Sequence, residues 1–384
     1  MWGCSSVGRA PALQAGGQEF EPPQLHQHFY EGKLQLITIQ IYYYYQYLPI
    51  YLRKPYPTRC SISSNNCRRL ASRKYIYYFL KVYNLSMIEK FDAKSINSKF
   101  VKKLIDIQFP EYNNLEIKAV KKQGWDNRTY RLGKEKLIRL PSGEYYSEKI
   151  IKENKYLPKL APHLTTKISK PLKLGKPSTI YPFNFAIYEW IEGKSANLMK
   201  FTDKELQIIA KDLSVFLNEL HFIKNLKGPS PGKHNGWGGG ELNFFDKDTQ
   251  NQIENLKNII NKSKSLDLWK QAKSSKWNKK PVWIHGDFYF GNFLVHNNKL
   301  SGVIDFGGMA KGDPAKDLVI AWTFLKNESR EIFKYKIKYD SDTWIRAKGW
   351  VLWKATFELC KTQDKNSEYA KSQKEIINDV IKDY

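Results

Sequence analysis

The stretch His285-Gly-Asp-Phe-Tyr-Phe-Gly-Asn292, followed by Ile304-Asp-Phe-Gly307, decides the reading of this chain. Residues 282–285, 293–296 and 302–305 are short apolar runs of strand type, so the polar residues fall at strand ends and in the turns between them. Asp287, in a tight loop after the first run, suits orienting an acceptor hydroxyl and taking its proton. Asn292 offers a neutral oxygen and Asp305 an anionic one. Magnesium favours a few such oxygens plus substrate phosphates over a full protein cage. Phosphoryl transfer asks for a positioned acceptor and neutralised phosphate charge, which this trio could supply. Read blandly, the two aspartates are turn residues and Asn292 is a loop cap. The full pattern, with twelve residues between Asn292 and Asp305, argues against that.

Outward from this stretch, residues 100–109 carry Val101, Leu104, Ile105 and Ile107 at helical spacing and stop at Pro110. Residues 115–120, 129–132 and 136–140 are β-type segments separated by turn signals at Gly124 and Gly133. A helix is expected over 146–160, then strands over 168–174 and 185–190. After Glu192-Gly193 the pattern turns helical. Thr202-Asp-Lys-Glu205 is a capping box opening a helix to about His221. Residues 228–240 are Gly/Pro-rich and read as a loop, residues 250–275 as helical. Asp313-Pro314 predicts an N-cap and N1 proline opening a helix through Phe324. The order predicts an α+β, two-lobed chain: a small antiparallel-sheet lobe over 87–192 and a larger, mostly helical lobe over 193–384.

Residues 120–360 resemble the aminoglycoside phosphotransferase/choline kinase-like family, distant relatives of protein kinases. The resemblance rests on the 282–295 stretch, on Leu300-Ser-Gly-Val-Ile-Asp-Phe-Gly307 with Gly312-Asp-Pro-Ala-Lys-Asp-Leu318, and on Gly124-Trp-Asp-Asn-Arg-Thr-Tyr-Arg-Leu-Gly133, similar to a phosphate-covering loop. It implies a protein-kinase-like fold, with Asp287 as base and Asn292 and Asp305 as magnesium ligands. It further implies ATP or GTP as phosphate donor and a small-molecule hydroxyl as acceptor. Where protein kinases carry a third-strand lysine paired with a helix glutamate, this chain has Arg139, with Glu153 the expected partner and Glu148 the competitor. Arginine can grip phosphate bidentately. Asn127 and Thr129 are candidate phosphate contacts, although a plain hairpin turn explains them as well. Tyr188-Glu-Trp-Ile191 stands where kinases present backbone to the nucleotide base, which makes Glu189 and Ile191 candidates. Asp317 is expected to brace the catalytic loop, His285 to order it, and His221 simply to end its helix. Residues 236–240 either rim the acceptor pocket or connect. An amine-rich acceptor calls for an acidic pocket, which Glu328, Glu331, Asp340, Asp342 and Glu358 could supply. The alternative from another class is a catalytically silent nucleotide-binding or scaffolding module.

Composition is that of an ordinary globular enzyme, 41% hydrophobic and 26% charged over 384 residues, except for a formal charge of +25. Lysine-rich basicity points to anionic ligands or to an AT-rich genome. No nucleic-acid-reader motif accompanies it, so no specific nucleic-acid partner is expected. The four cysteines form no CxxC pair and no zinc spacing. Neither a signal peptide nor a reliable transmembrane helix is evident, and a cytoplasmic enzyme is expected.

Residues 1–86 differ from the rest. They hold 10 Lys/Arg, 3 Asp/Glu and 12 of the 24 tyrosines, leaving a net +18 on residues 87–384. Ser5–Ala10 can be spelled AGT TCA GTT GGT AGA GCG and Glu19–Pro22 GAG TTC GAA CCC, which resemble the D-arm and T-arm of a transfer RNA gene. We expect synthesis to start at Met87; the alternative is a disordered aromatic tail. The intact mass of the native protein decides, and a mass that includes residues 1–86 rejects the expectation.

Overall fold

The structure, a computed structural model, describes residues 91–384 except Lys122 and Trp125. The expectation for residues 1–86 lies outside the described residues. The first layer is a five-stranded antiparallel sheet of order β1-β2-β3-β6-β5. Its strands are β1 (Ile117–Ala119), β2 (Asn127–Leu132), β3 (Lys136–Pro141), β5 (Pro171–Gly175) and β6 (Phe185–Glu189). Helix α1 (Ser98–Gln108) buries Val101, Leu104 and Ile105 in a core with Tyr130, Leu132, Ile138, Leu140, Phe185 and Ile187. Alternate residues of β2 and β3 supply that core, as period-two geometry requires.

Helix α2 (Glu144–Leu160) joins the two cores. Ile150 packs with Ala186 and Tyr188 of β6, while Leu157 and Leu160, two turns further on, enter the helical core. Glu153 lies between these anchors, so its position is set from both sides. The helical part comprises α3 (Asp203–Phe222), α4 (Asp246–Asn255), α5 (Lys262–Ser274), the single turn α6 (Ile320–Thr323), α7 (Asn327–Lys336), α8 (Ser341–Lys361) and α9 (Glu368–Lys382). Thr202 and Glu205 cap α3 reciprocally. Against these helices lie β8 (Val282–Ile284), paired with β11 (Ala310–Gly312), and a small sheet of order β4-β10-β9-β7. The latter contains β4 (Lys167–Ile168), β7 (Lys194–Ser195), β9 (Phe293–His296) and β10 (Lys299–Val303). Among the described residues, no helix is long and apolar enough to cross a membrane.

Three expectations need correcting. The strand expected over 168–174 is two: β4 pairs with β10 in parallel, and β5 pairs with β6 in the larger sheet. Pro171, with no N–H to give a ladder, begins the second strand, and the chain changes sheet just before it. The helical stretch over 250–275 is likewise two helices, α4 and α5, with Asn261 capping the second through the Lys264 N–H. The helix expected from Asp313 is only a 3₁₀ turn (Pro314–Lys316), followed by α6. Asp313 does cap the turn through the Ala315 N–H, but its carboxylate is also fixed by Arg346 at 2.6 Å, and Asp317 is drawn to the loop after β8. Two anchored acids four residues apart hold this segment in tight turns.

Candidate active site

The loop after β8 is built around one buried carboxylate. Asp317, fully buried, accepts the His285 N–H at 2.7 Å on one oxygen and the Gly286 N–H at 2.8 Å on the other. His221 Nε2 stands 3.3 Å from Asp317, and the Tyr339 hydroxyl reaches His221 Nδ1 at 3.1 Å. His221 is therefore part of this brace, beyond its expected role as a helix end. Gly286 has φ 78°, and a Cβ there would lie 2.1 Å from the Gly308 carbonyl oxygen, so only glycine fits. The His285 ring uses both nitrogens: Nε2 donates to the Ile304 carbonyl at 3.0 Å and Nδ1 accepts the Asp287 N–H at 3.3 Å. It ties the loop to the strand end that carries Asp305.

These constraints bring the three polar residues together. Asn292 Nδ2 donates to the Asp287 carbonyl at 2.9 Å and to its carboxylate at 3.3 Å, leaving Asn292 Oδ1 for another partner. Asp305 does not continue β10; it sits at φ 63°, ψ 63°, a left-handed conformation that non-glycine residues hold only under local constraint. Arg139 Nη2 reaches Asp305 Oδ1 at 3.3 Å, while Arg139 Nη1 lies 3.2 and 3.1 Å from the two oxygens of Glu153. Glu153, not the exposed Glu148, is the arginine's helix partner. The Tyr188 hydroxyl donates to Glu153 at 2.6 Å from a fully buried ring. Burial opposes the Arg139 charge, but Glu153 and Asp305 outweigh it and push its pKa up. Burial likewise raises Asp305, yet Arg139 and Lys149 prevail and hold it below the usual carboxylate range.

A second cation enters from α2. Lys149, one turn before Glu153, places Nζ 3.6 Å from Asp126. Burial is overcome by Asp126 and Asp305, which raise its pKa. A Cβ on Gly307 would fall 2.8 Å from Lys149 Cδ, so the glycine of Ile304-Asp-Phe-Gly307 leaves room for this stem. Lys152 differs: burial and the neighbouring Lys149 bring it down to about 7, and its Nζ meets His234 Nδ1 at 2.9 Å and the Met309 carbonyl at 3.2 Å.

Comparison with known proteins fits this architecture. A model of the phosphotransferase enzyme family matches residues 116–350. The chain belongs to that family. No protein of curated function matches it in sequence. Among solved structures, the GDP complex of a mutant aminoglycoside 2'-phosphotransferase-IIIa is similar at TM-score 0.57 and 19% identity, over 75% of this chain and 98% of that one. An APH(2")-type enzyme in its GDP and kanamycin complex gives 0.56 and 19%, over 74% and 98%. A macrolide 2'-phosphotransferase type I gives 0.50 and 16%, over 74% and 97%. At such identities the likeness establishes the two-lobed kinase-like fold.

Within this phosphotransferase-family chain, the remaining sequence candidates divide. Asn127 opens β2 with Oδ1 buried and without a hydrogen-bond partner. Thr129 is engaged through its backbone by Gln123, whose amide accepts the Thr129 N–H at 2.7 Å and donates to its carbonyl at 2.9 Å. The Glu189 side chain pairs with Lys170 at 2.8 Å, and the amides of Glu189 and Trp190 donate to Lys170 and Glu135 carbonyls. Ile191 is core. Residues 236–240 do not line the cleft beside Asp287; the Gly239 carbonyl instead accepts the Asp313 N–H at 2.8 Å. Of the five C-terminal acids, only Glu358 lines that cleft. Among the described residues, no cluster of three or more His, Cys, Asp or Glu side chains forms a metal cage. One amide oxygen on Asn292 and one ionised carboxylate on Asp305 instead fit magnesium shared with phosphates.

Sequence reasoning missed Tyr188 and Lys149. The helical spacing of Lys149 and Glu153 on one face was the available signal for the lysine. For the Tyr188 hydroxyl there was none.

Proposed function

We propose that the protein transfers the γ-phosphate of ATP or GTP to a hydroxyl of a small molecule. The observation that carries this reading is the convergence of Asp287, Asn292 and Asp305 beneath the Arg139–Glu153 pair. Asp287 orients the acceptor hydroxyl and receives its proton. Asn292 holds the Asp287 carboxylate in place through its amide nitrogen. Asn292 Oδ1 and Asp305 would hold magnesium, which supplies charge neutralisation for the transferring phosphate. Arg139 is largely committed to Glu153 and Asp305, so it supports the position of those acids, and Lys149 is a second cation whose charge acts on Asp305 beside it. At the segment between the lobes the Glu189 and Trp190 amides are already used, which favours Ile191 N–H as donor to the nucleotide base. GTP stays beside ATP as donor because two of the similar structures are GDP complexes.

The test is an acceptor screen with the full chain, magnesium and either nucleotide, with phosphate transfer read by mass. Transfer to a hydroxyl compound is expected. Nucleotide binding without transfer to any acceptor would favour the silent scaffold instead.

A further inference from the structure

The cleft that starts at Asp287 is lined by Tyr289, Lys316, Trp350, Trp353, Lys354 and Glu358 among others. Its hydrogen-bonding character is lopsided. The indole N–H of Trp350, a fully buried ring, has no hydrogen-bond partner. A buried donor left without an acceptor is destabilising until something accepts from it. Lys316 adds positive charge here, its Nζ 4.6 Å from the Trp350 ring centroid and 5.2 Å from that of Trp353.

The acceptor side is already occupied. Glu358 Oε1 pairs with Lys354 at 2.8 Å, and Glu358 Oε2 takes the Tyr369 hydroxyl at 3.1 Å. Asp287 is the group assigned to the reacting hydroxyl. Of the other four acids counted on the C-terminal helices, none lines this cleft; Asp340 caps α8 and pairs with Lys279, Glu328 accepts from Gln207, and Glu331 pairs with Lys334. An amine-rich ligand entering this cleft would meet two lysines and find no uncommitted carboxylate besides Asp287, so electrostatic complementarity disfavours it.

We infer that the acceptor is a hydroxyl compound without net positive charge, bearing a carbonyl or carboxylate oxygen that accepts from Trp350 Nε1. The inference rests on the phosphotransferase reading above and names the chemistry of its acceptor. Trp350 and Lys316 recognise the oxygen end. The edge-on pair Trp350–Trp353, with centroids 5.5 Å apart, forms an apolar wall beside it.

The experiment uses the full chain with magnesium, ATP and GTP, and a panel of hydroxyl compounds in three classes: polyamine sugars, neutral sugars carrying a carbonyl group, and hydroxy-carboxylates. Transfer is read by mass, and nucleotide binding is measured separately by calorimetry. Phosphate is expected on members of the last two classes only. For the best of these, Trp350→Phe, which keeps an aromatic ring but deletes the N–H, is expected to raise KM about tenfold with kcat nearly unchanged, the worth of one hydrogen bond. Transfer to polyamine sugars overturns the inference. So does an unchanged KM in Trp350→Phe. Nucleotide binding with no transfer to any class, or no nucleotide binding at all, removes the phosphotransferase reading itself, and the inference with it.

Discussion

Asp287→Asn is expected to lower kcat for phosphate transfer by about 10²–10⁴-fold, the usual worth of a positioned general base. The substitution is nearly isosteric. Its amide oxygen can still accept the Asn292 Nδ2 hydrogen bond, which spans 3.3 Å to the carboxylate in the native chain. The loop is held by backbone contacts to Asp317 and His285 that do not involve the Asp287 side chain, so the folded geometry should survive. What disappears is a negatively charged oxygen able to take the hydroxyl proton. Nucleotide affinity should move little, because Asn292, Asp305, Lys149 and the Arg139–Glu153 pair remain. Single-turnover transfer and nucleotide binding, measured on the same preparation, check both halves. A kcat within about fivefold of the unmodified protein would refute the role of Asp287, and a parallel loss of nucleotide affinity would place it in nucleotide binding instead.

The parts of this site that could be read in advance are those written in local spacing. Asp287 and Asn292 belong to one loop, and Asp305 stands two residues past the second strand of the hairpin that follows. The family resemblance offered two glutamates of α2 as the partner of Arg139, and burial between two cores decides for Glu153. Legibility ended where a residue's meaning lies in a partner distant along the chain. Tyr188 gave no sign of its role because its hydroxyl partner is 35 residues away on another element. His221 looked like a helix end because Asp317 is 96 residues on. Trp350 stands in α8, which is buried along much of its length, so no amphipathic pattern separates a cleft-lining indole from a core one. The misread stretch after Asp313 has the same origin: the cap signal is real and the cap forms, but Arg346 and the loop after β8 hold its two acids where a continuous helix would not. The acidic pocket failed for a related reason. Acids on C-terminal helices can be counted from sequence, but which of them line the cleft cannot, and of the five only Glu358 does, with both oxygens engaged.

Asp317→Ala should cost more stability than any change at the reacting centre, about 3–5 kcal/mol, the range for breaking a buried charged network. The argument is one of orphaned donors. Removing the carboxylate leaves the His285 and Gly286 N–H groups unpaired in a fully buried site, each worth roughly 1–3 kcal/mol. His221 loses its partner as well, leaving only the Tyr339 hydroxyl to hold the ring. Water cannot repair this readily, because β8, with Trp283 and Ile284 fully buried, closes the approach. A loss of that size lowers Tm by roughly 6–20 °C for a domain of this class. Activity should fall too, since Gly286 and His285 are the residues that aim Asp287. Asp317→Asn keeps one acceptor oxygen but turns an NH₂ group toward a donor, so it should lie between the native protein and Ala. Thermal melts of the three proteins beside Asp287→Asn separate the roles: Asp287→Asn should lose activity at unchanged Tm, and Asp317→Ala should lose both. A native-like Tm for Asp317→Ala would mean that the loop after β8 is held by something other than this carboxylate.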